Sequence, residues 1–381
     1  MKGTVLSIDA IFGLLATYSI AFSTMAHSQG YPTTDEGYAL PSDTVPLEFP
    51  KDHGSHPEFK SEWWYLTGHL EGPDPADKYG FQLTFFRSAS VPVDQEPIGT
   101  QPHQIYMAHA AILDKTSEKY IHEERFNREE WNADAQINSL LVYNGNWELA
   151  MTDSVSEKMR ASFSVNSDSR LNASLLPLKP KVLFGKNGVS RKGENFNAKS
   201  YYITFSRLEV SGTLEVGDNV IPITGYAWMD HEISSSQLSE GQIGWNWTSL
   251  ILDDGTELMA YVMRRGNGSK DPYSQMHLID PSGGTKSYSA EQFSWVPIEY
   301  WISPRSGARY PIHYRISWID QLGETQTITV RSTPDDQEIS GRISGFTYYE
   351  GAGVALDEDG QEIGKSYTEL TGYDASLFGR F

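Results

Sequence analysis

The sequence predicts an all-β protein built from sandwiches or barrels. Three observations carry this. Short runs rich in Tyr, Trp, Phe, Val, Ile and Thr recur along the chain, as at 80–87, 201–206, 220–229, 245–252 and 257–264. Turn clusters such as Asp253-Asp254-Gly255, Ser282-Gly283-Gly284 and Asp359-Gly360 separate such runs. Helical periodicity is scarce: only residues 117–135 read as helix-like, with poor apolar spacing. Many short strands with turn signals suit sandwiches and barrels, and no repeat of 20–50 residues points to a propeller or solenoid.

The chain opens with Lys2, a mostly apolar run at 11–22 and small residues ending in Ala26-His27-Ser28. That order is the build of a secretory signal over residues 1–28. The run is short for a membrane span, which needs about 20 apolar residues, so a retained anchor is the lesser reading. Export to the periplasm or outside the cell is therefore expected, and no integral membrane segment. Residues 29–54 hold Pro32, Pro41, Pro46 and Pro50 and read as an extended leader. The polar stretch 166–200 reads as a boundary loop or insertion. Residues 234–241, Ser-Ser-Ser-Gln-Leu-Ser-Glu-Gly, are the better linker by composition.

Composition excludes several functions. The 381 residues carry 50 acidic and 30 basic side chains, a formal charge of −20. Such a chain repels phosphate, so a nucleic-acid partner is not expected. With no cysteine there is no disulfide frame, thiolate metal site or Cys nucleophile. The 10 Trp, 21 Tyr and 16 Phe are too many for a disordered chain.

Strong chemical motifs are missing. There is no G-x-S-x-G elbow and no H-E-x-x-H. Gly360 and Gly364, before Lys365-Ser366, have three residues between them where a phosphate loop needs four, so the stretch reads as a hairpin. His53-x-x-His56 reads as a solvated loop rather than a metal pair. No cofactor and no metal are expected.

Two segments do carry chemistry. In Glu62-Trp63-Trp64-Tyr65-Leu66-Thr67-Gly68-His69, strand alternation puts Glu62, Trp64 and Leu66 on one face. Trp63, Tyr65, Thr67 and His69 take the other. In Gly225-Tyr226-Ala227-Trp228-Met229-Asp230-His231-Glu232, Tyr226, Trp228 and Asp230 share a face. A carboxyl beside an indole in an aromatic barrel is desolvated, which raises its pKa and suits it to proton donation. Downstream, Trp245 and Trp247 place two indoles on one face. Each aromatic also has a plain reading as core, and Asp230, His231 and Glu232 have one as a polar corner. A shared metal ion is disfavoured, because adjacent strand residues point apart. Arg87 and Arg264 end strand-like runs and serve either as surface charges or to orient a buried carboxylate.

These segments resemble a family. His56-Pro57-Glu58-Phe59, Glu62-Trp63-Trp64-Tyr65 and Thr67-Gly68-His69-Leu70 look like the opening signature of the AttH-like secreted proteins, within the wider carotenoid 1,2-hydratase (CrtC-like) superfamily. Matching units follow in order: Thr84-Phe85-Phe86-Arg87, His109 to Asp114, Trp228-Met229-Asp230-His231-Glu232, Trp245-x-Trp247, Tyr349-Glu350-Gly351 and Tyr367-x-Glu369-Leu370. The resemblance implies two lipocalin-like (calycin) antiparallel β-barrel domains packed side by side, near 55–232 and 238–376, with a pocket between or within them. It implies a lipophilic ligand (isoprenoid, polyketide or lipid-like) and cofactor-free hydration, hydrolysis or cyclisation. Asp230 would be the acid, with Trp228 facing the cation, and His231 or Glu232 a relay. The expected ligand-binding set is Glu62, Trp64, Tyr65, His69, Arg87, His109, Trp228, Trp245, Trp247 and Tyr261, with Glu62 and Arg87 as an organising ion pair. Where the hydratases carry an upstream His and Trp pair, this chain reads Tyr201-Tyr202-Ile203. The alternatives are a non-catalytic carrier of an apolar ligand linked to a transporter, and a purely structural lock between the barrels.

Overall fold

The computed structural model describes residues 30–379 apart from Asp168. The signal-like segment at 1–28 lies outside them. The chain forms strands β1 (Ser61–Glu71), β2 (Lys78–Ala89), β3 (Gln104–Asp114), β4 (Lys119–Arg128), β5 (Ala133–Ala135), β6 (Leu141–Asn144), β7 (Trp147–Asp153) and β8 (Lys158–Val165), of which β1 and β2 are buried along nearly their whole length while β8 alternates buried and exposed positions. There follow β9 (Ser169–Pro177), β10 (Val182–Leu183), β11 (Val189–Arg191), β12 (Lys199–Val216) and β13 (Asn219–Ser236). These form one 13-stranded antiparallel sheet in the order β4-β3-β2-β1-β13-β12-β9-β8-β7-β6-β5, with β10 and β11 on β12. The end strands β4 and β5 touch, so the sheet curls nearly shut.

The second sheet has ten strands. They are β14 (Gln242–Leu252), β15 (Glu257–Arg265), β16 (Gln275–Ile279), β17 (Thr285–Ser289), β18 (Phe293–Ile302), β19 (Arg309–Ile319), β20 (Thr325–Ser332), β21 (Glu338–Ser340), β22 (Thr347–Leu356) and β23 (Glu362–Leu370). Their order is β17-β16-β15-β14-β23-β22-β20-β19-β18, with β21 on β22. The all-β, two-lipocalin-like-barrel architecture is what the sheets show. Only a short 3₁₀ turn, Lys51–His53, is helical among the described residues, and no helix is long and apolar enough to cross a membrane.

The helix-like reading of 117–135 is corrected: the segment is β4, a turn and β5. Its apolar residues are too sparse for a helix face, whereas the open edge of β3 offers a full ladder to pair with. The Gly360 region is a β22–β23 hairpin, with Gly360 in the left-handed region at φ 79°. Gly68 serves close packing in β1, since a Cβ there would lie 2.4 Å from Phe81 Cε1.

Five apolar clusters result, three of them large. Leu66, Leu83, Trp147 and Phe163 fill the first barrel, and Leu258, Tyr314, Ile316 and Val330 the second. Between the sheets lies an aromatic layer that includes Tyr65, Tyr202, Trp228, Trp247, Tyr261 and Tyr348. The leader and the residues just after it pack Tyr31, Leu47, Phe49 and Phe59 against Tyr201, Ile203 and Ile233. They carry His53 and His56 into the interior, where both are buried, so the reading of these histidines as a solvated loop is also corrected.

Candidate functional site

Ladder register decides which side chains meet between the sheets. Across the first sheet, Thr84, Tyr65, Asp230 and Thr204 are successive cross-strand partners. Across the second, the partners are Tyr261, Trp247, Glu369 and Glu350. The two rows face each other through the aromatic layer. Tyr65 Oη donates to Glu350 Oε2 at 2.8 Å, and the Tyr65 ring lies edge-on to Trp247 at 5.2 Å.

A cavity opens at this seam. It encloses about 660 Å³ including its open side, but its interior is narrow. Anything larger than a few waters has to part side chains to enter. Its walls include Trp63, Tyr65, Tyr202, Trp245, Trp247 and Tyr261, with Asp230, Glu232, Glu369 and Lys192 as the charged chemistry.

Asp230 is the best-organised of these. Its Oδ1 accepts from Trp228 Nε1 at 2.8 Å and from the Thr204 hydroxyl. Its Oδ2 accepts from Tyr202 Oη at 2.9 Å, and that phenol oxygen accepts from Trp247 Nε1 at 2.8 Å. Burial pushes the Asp230 carboxyl up to about 7, with the nearby Glu232 charge adding to the rise. The bonds from Thr204, Tyr202 and Trp228 favour the carboxylate and hold the rise in check. A group poised there both gives and takes protons near neutrality.

Glu232 is engaged elsewhere. It accepts from the Ser200 hydroxyl and lies 3.1 Å from Lys192 Nζ. That ammonium sits 4.2 Å from the ring centres of both Tyr202 and Tyr261. Burial lowers the Lys192 pKa, and Glu232 opposes the fall. Glu369 accepts from Trp245 Nε1 at 2.7 Å, and burial pushes it up to about 8.

Of the two relays expected for Asp230, strand alternation keeps Glu232 on the acid's side and removes His231. Asp230 and Glu232 face the cavity, whereas His231 points to the opposite side of β13. There it stacks on Trp64 at 4.9 Å and its Nε2 lies 2.8 Å from Glu62 Oε1. Glu62, Trp64 and Arg87, expected at the ligand, lie on that far side as well. Arg87 Nε donates to Glu62 Oε2 at 2.9 Å, which is the organising ion pair read from the sequence. Ser55, the His56 amide and His56 Nδ1 also bond Glu62.

Burial alone would raise the Glu62 pKa, but the bonds from His231 and His56 and the Arg87 charge drive it well below the usual range. Burial alone would lower His56, but Asp52 and Glu62 raise it to about 9. His56, Glu62 and His231 have the donor types of a metal site. Here His56 Nδ1 and His231 Nε2 both point at one Glu62 oxygen and Arg87 holds the other, which makes an ion-pair cluster, while the buried His231 Nδ1 has no hydrogen-bond partner among the described residues.

Three further expected positions lie off the cavity wall. Trp228 stands behind Asp230. His69 lines a separate groove with Arg207, Tyr226 and Lys365, and its Nε2 donates to the Ser366 carbonyl at 3.0 Å. His109 bridges Tyr348 Oη at 2.8 Å and Glu124 at 3.3 Å. Sequence reasoning missed Tyr202, Lys192, Glu369 and Glu350. The available signal was that Tyr202, Glu350 and Glu369 fall within or beside the motif stretches. Lys192, in the polar 166–200 stretch, gave none.

A family model for AttH-like proteins matches residues 40–373. The chain belongs to the AttH-like family. This AttH-like chain is similar in structure to a Nitrosomonas europaea protein assigned as an AttH, with a TM-score of 0.78 and 36% identity, covering 88% of this chain and 99% of that one. Kievitone hydratase from Nectria haematococca shares the fold at a TM-score of 0.62 and 14% identity, over 91% of this chain and 99% of that one. The ceramide-binding protein SVF1 of Debaryomyces hansenii is 30% identical over 87 residues, which is 22% of this chain and 23% of that protein.

Proposed function

We propose that this chain binds a lipophilic molecule, isoprenoid, polyketide or lipid-like, in the seam between the barrels and performs cofactor-free acid–base chemistry on it. The observation that carries this is Asp230: a buried carboxyl at an aromatic cavity wall, near neutrality in pKa, bonded to a phenol that also faces the cavity. When Asp230 is protonated on Oδ2, that proton bonds Tyr202 Oη. The phenol proton is then free to turn into the cavity. Tyr202 thus offers a relay for the acid's proton beside the direct route from Asp230, since both face the cavity. The aromatic faces tolerate a cation formed on protonation. The hydratase among the fold relatives supports hydration as the first reaction to try.

The test uses geraniol, farnesol and geranylgeraniol as terminal alkenes in oxygen-18 water. Wild type is expected to incorporate the label and D230N to lose it. Unlabelled products with all three, or full activity in D230N, contradict the acid role.

The ceramide-binding relative supports a second reading, a non-catalytic lipid carrier, and we propose a transporter as its partner. Lipid that co-purifies unmodified, with no label incorporated, supports it. We propose export to the periplasm or beyond on the basic start and apolar run at 11–22. N-terminal sequencing of the purified protein tests that; a start at Met1 contradicts it.

A further inference from the structure

The wall opposite Asp230 holds an acid pair. Glu350 and Glu369 face each other across the β22–β23 ladder. Side chains so placed lie roughly 5 Å apart at Cβ. Glu369 is on the cavity wall, with Trp245 Nε1 on its Oε2. Glu350 is fully buried behind it; Tyr65 takes its Oε2, while its Oε1 has no hydrogen-bond partner among the described residues. The charged groups acting on Glu369 are Asp230 and Glu232; on Glu350 the charge is that of Glu369, and the neutral Tyr65 phenol donates a hydrogen bond. None of these is a cation. Among the described residues, Lys192 is the one ammonium lining the cavity, and it is turned to Glu232.

Buried acids of this kind either stay protonated or meet a cation. The surrounding wall already holds one ammonium over aromatic faces, that of Lys192 over Tyr202 and Tyr261. The Trp63, Trp245 and Trp247 indoles border the same space. An apolar, aromatic seam with an acid pair and no free counter-ion matches a hydrocarbon body carrying an amine.

We propose that the cavity's ligand is a lipophilic amine, its ammonium held by Glu369 with Glu350 behind it and enclosed by the indoles of Trp245 and Trp247. This rests on reading the seam as a lipophile site and adds the head-group chemistry. The ammonium arrives already charged. On docking, the Glu369–Glu350 pair gives a proton to solvent and becomes a carboxylate, so the ion pair forms without oxidation, reduction or a leaving group.

The test is titration of the full chain with dodecylamine, dodecanol and dodecanoate, kept below their aggregation limits and read by tryptophan fluorescence. The amine is expected to bind at least roughly tenfold more tightly than the alcohol, and the carboxylate most weakly. Amine binding in weak buffer just below neutral pH should release a proton. In E369Q the amine-to-alcohol ratio should fall to near one, with alcohol binding in that variant reporting that the cavity is intact. Equal binding of amine and alcohol, or a ratio that survives in E369Q, overturns the amine assignment and leaves the lipophile site standing. No binding by any of the three defeats the lipophile site itself.

Discussion

Tyr202 Oη donates to Asp230 Oδ2 at 2.9 Å and accepts from Trp247 Nε1 at 2.8 Å, so one phenol ties the acid of the first sheet to an indole of the second. Y202F removes both bonds. The Asp230 carboxylate loses a donor, so its pKa should climb above about 7. The Trp247 N–H loses its acceptor, and the expected destabilisation is about 1–3 kcal/mol. Urea unfolding measures the second effect, and an aspartate carboxyl titration the first.

Stability should depend on pH through the raised acids. A carboxyl whose folded pKa exceeds its unfolded value stabilises fully below the unfolded pKa and loses that contribution as pH rises through the folded one. For Asp230 the window runs from 3.8 to about 7. For Glu369 it runs from 4.5 to about 8. D230N and E369Q should therefore flatten the fall in melting temperature across their windows. Calorimetry at a series of pH values checks it; identical slopes in wild type and both variants would show that neither acid is raised.

Glu62 holds Arg87, His56 and His231 together on the far side of β1 and β13. E62Q leaves a buried guanidinium and a buried imidazolium without their carboxylate. About 3–5 kcal/mol of destabilisation is expected, the usual effect of orphaning a buried charge. Chemical denaturation reads the change, and a loss under about 1 kcal/mol would mean that the cluster is not coupled as its geometry indicates.

Phe346 closes one side of the cavity and stacks near His109. F346A should enlarge the small interior space, cost about 3–5 kcal/mol and tighten binding of long isoprenoid alcohols relative to geraniol. Melting curves and fluorescence titration measure the two effects on the same sample.

The all-β fold was legible because strands and turns leave local marks. The runs at 201–206, 220–229, 245–252 and 257–264 all fall inside β12, β13, β14 and β15. Strand alternation also told the faces of β1 apart, since Tyr65 does face the seam and Glu62 does not. What failed was the step from neighbours in sequence to neighbours in space. Asp230, His231 and Glu232 are adjacent in the chain, yet alternation sends His231 to Glu62 and Trp64. Glu369, although it stands in a matching motif, and Lys192 were not assigned to the site for the converse reason. Glu369 reaches the acid's cavity through ladder register and sheet packing, and Lys192 from the segment after β11. The segment 117–135 misled because β4 is half-exposed on nearly every residue, which erases the two-residue period.

The proposed chemistry depends on an Asp230 that titrates near neutrality at a ligand-facing wall. A carbon-13 NMR pH titration of protein labelled at the aspartate side-chain carboxyls tests it most directly. One resonance is predicted to titrate with a midpoint near 7, to vanish in D230N and to shift upward in Y202F. A spectrum in which every aspartate titrates near the ordinary 3.8, or in which the high-midpoint resonance survives in D230N, would contradict it.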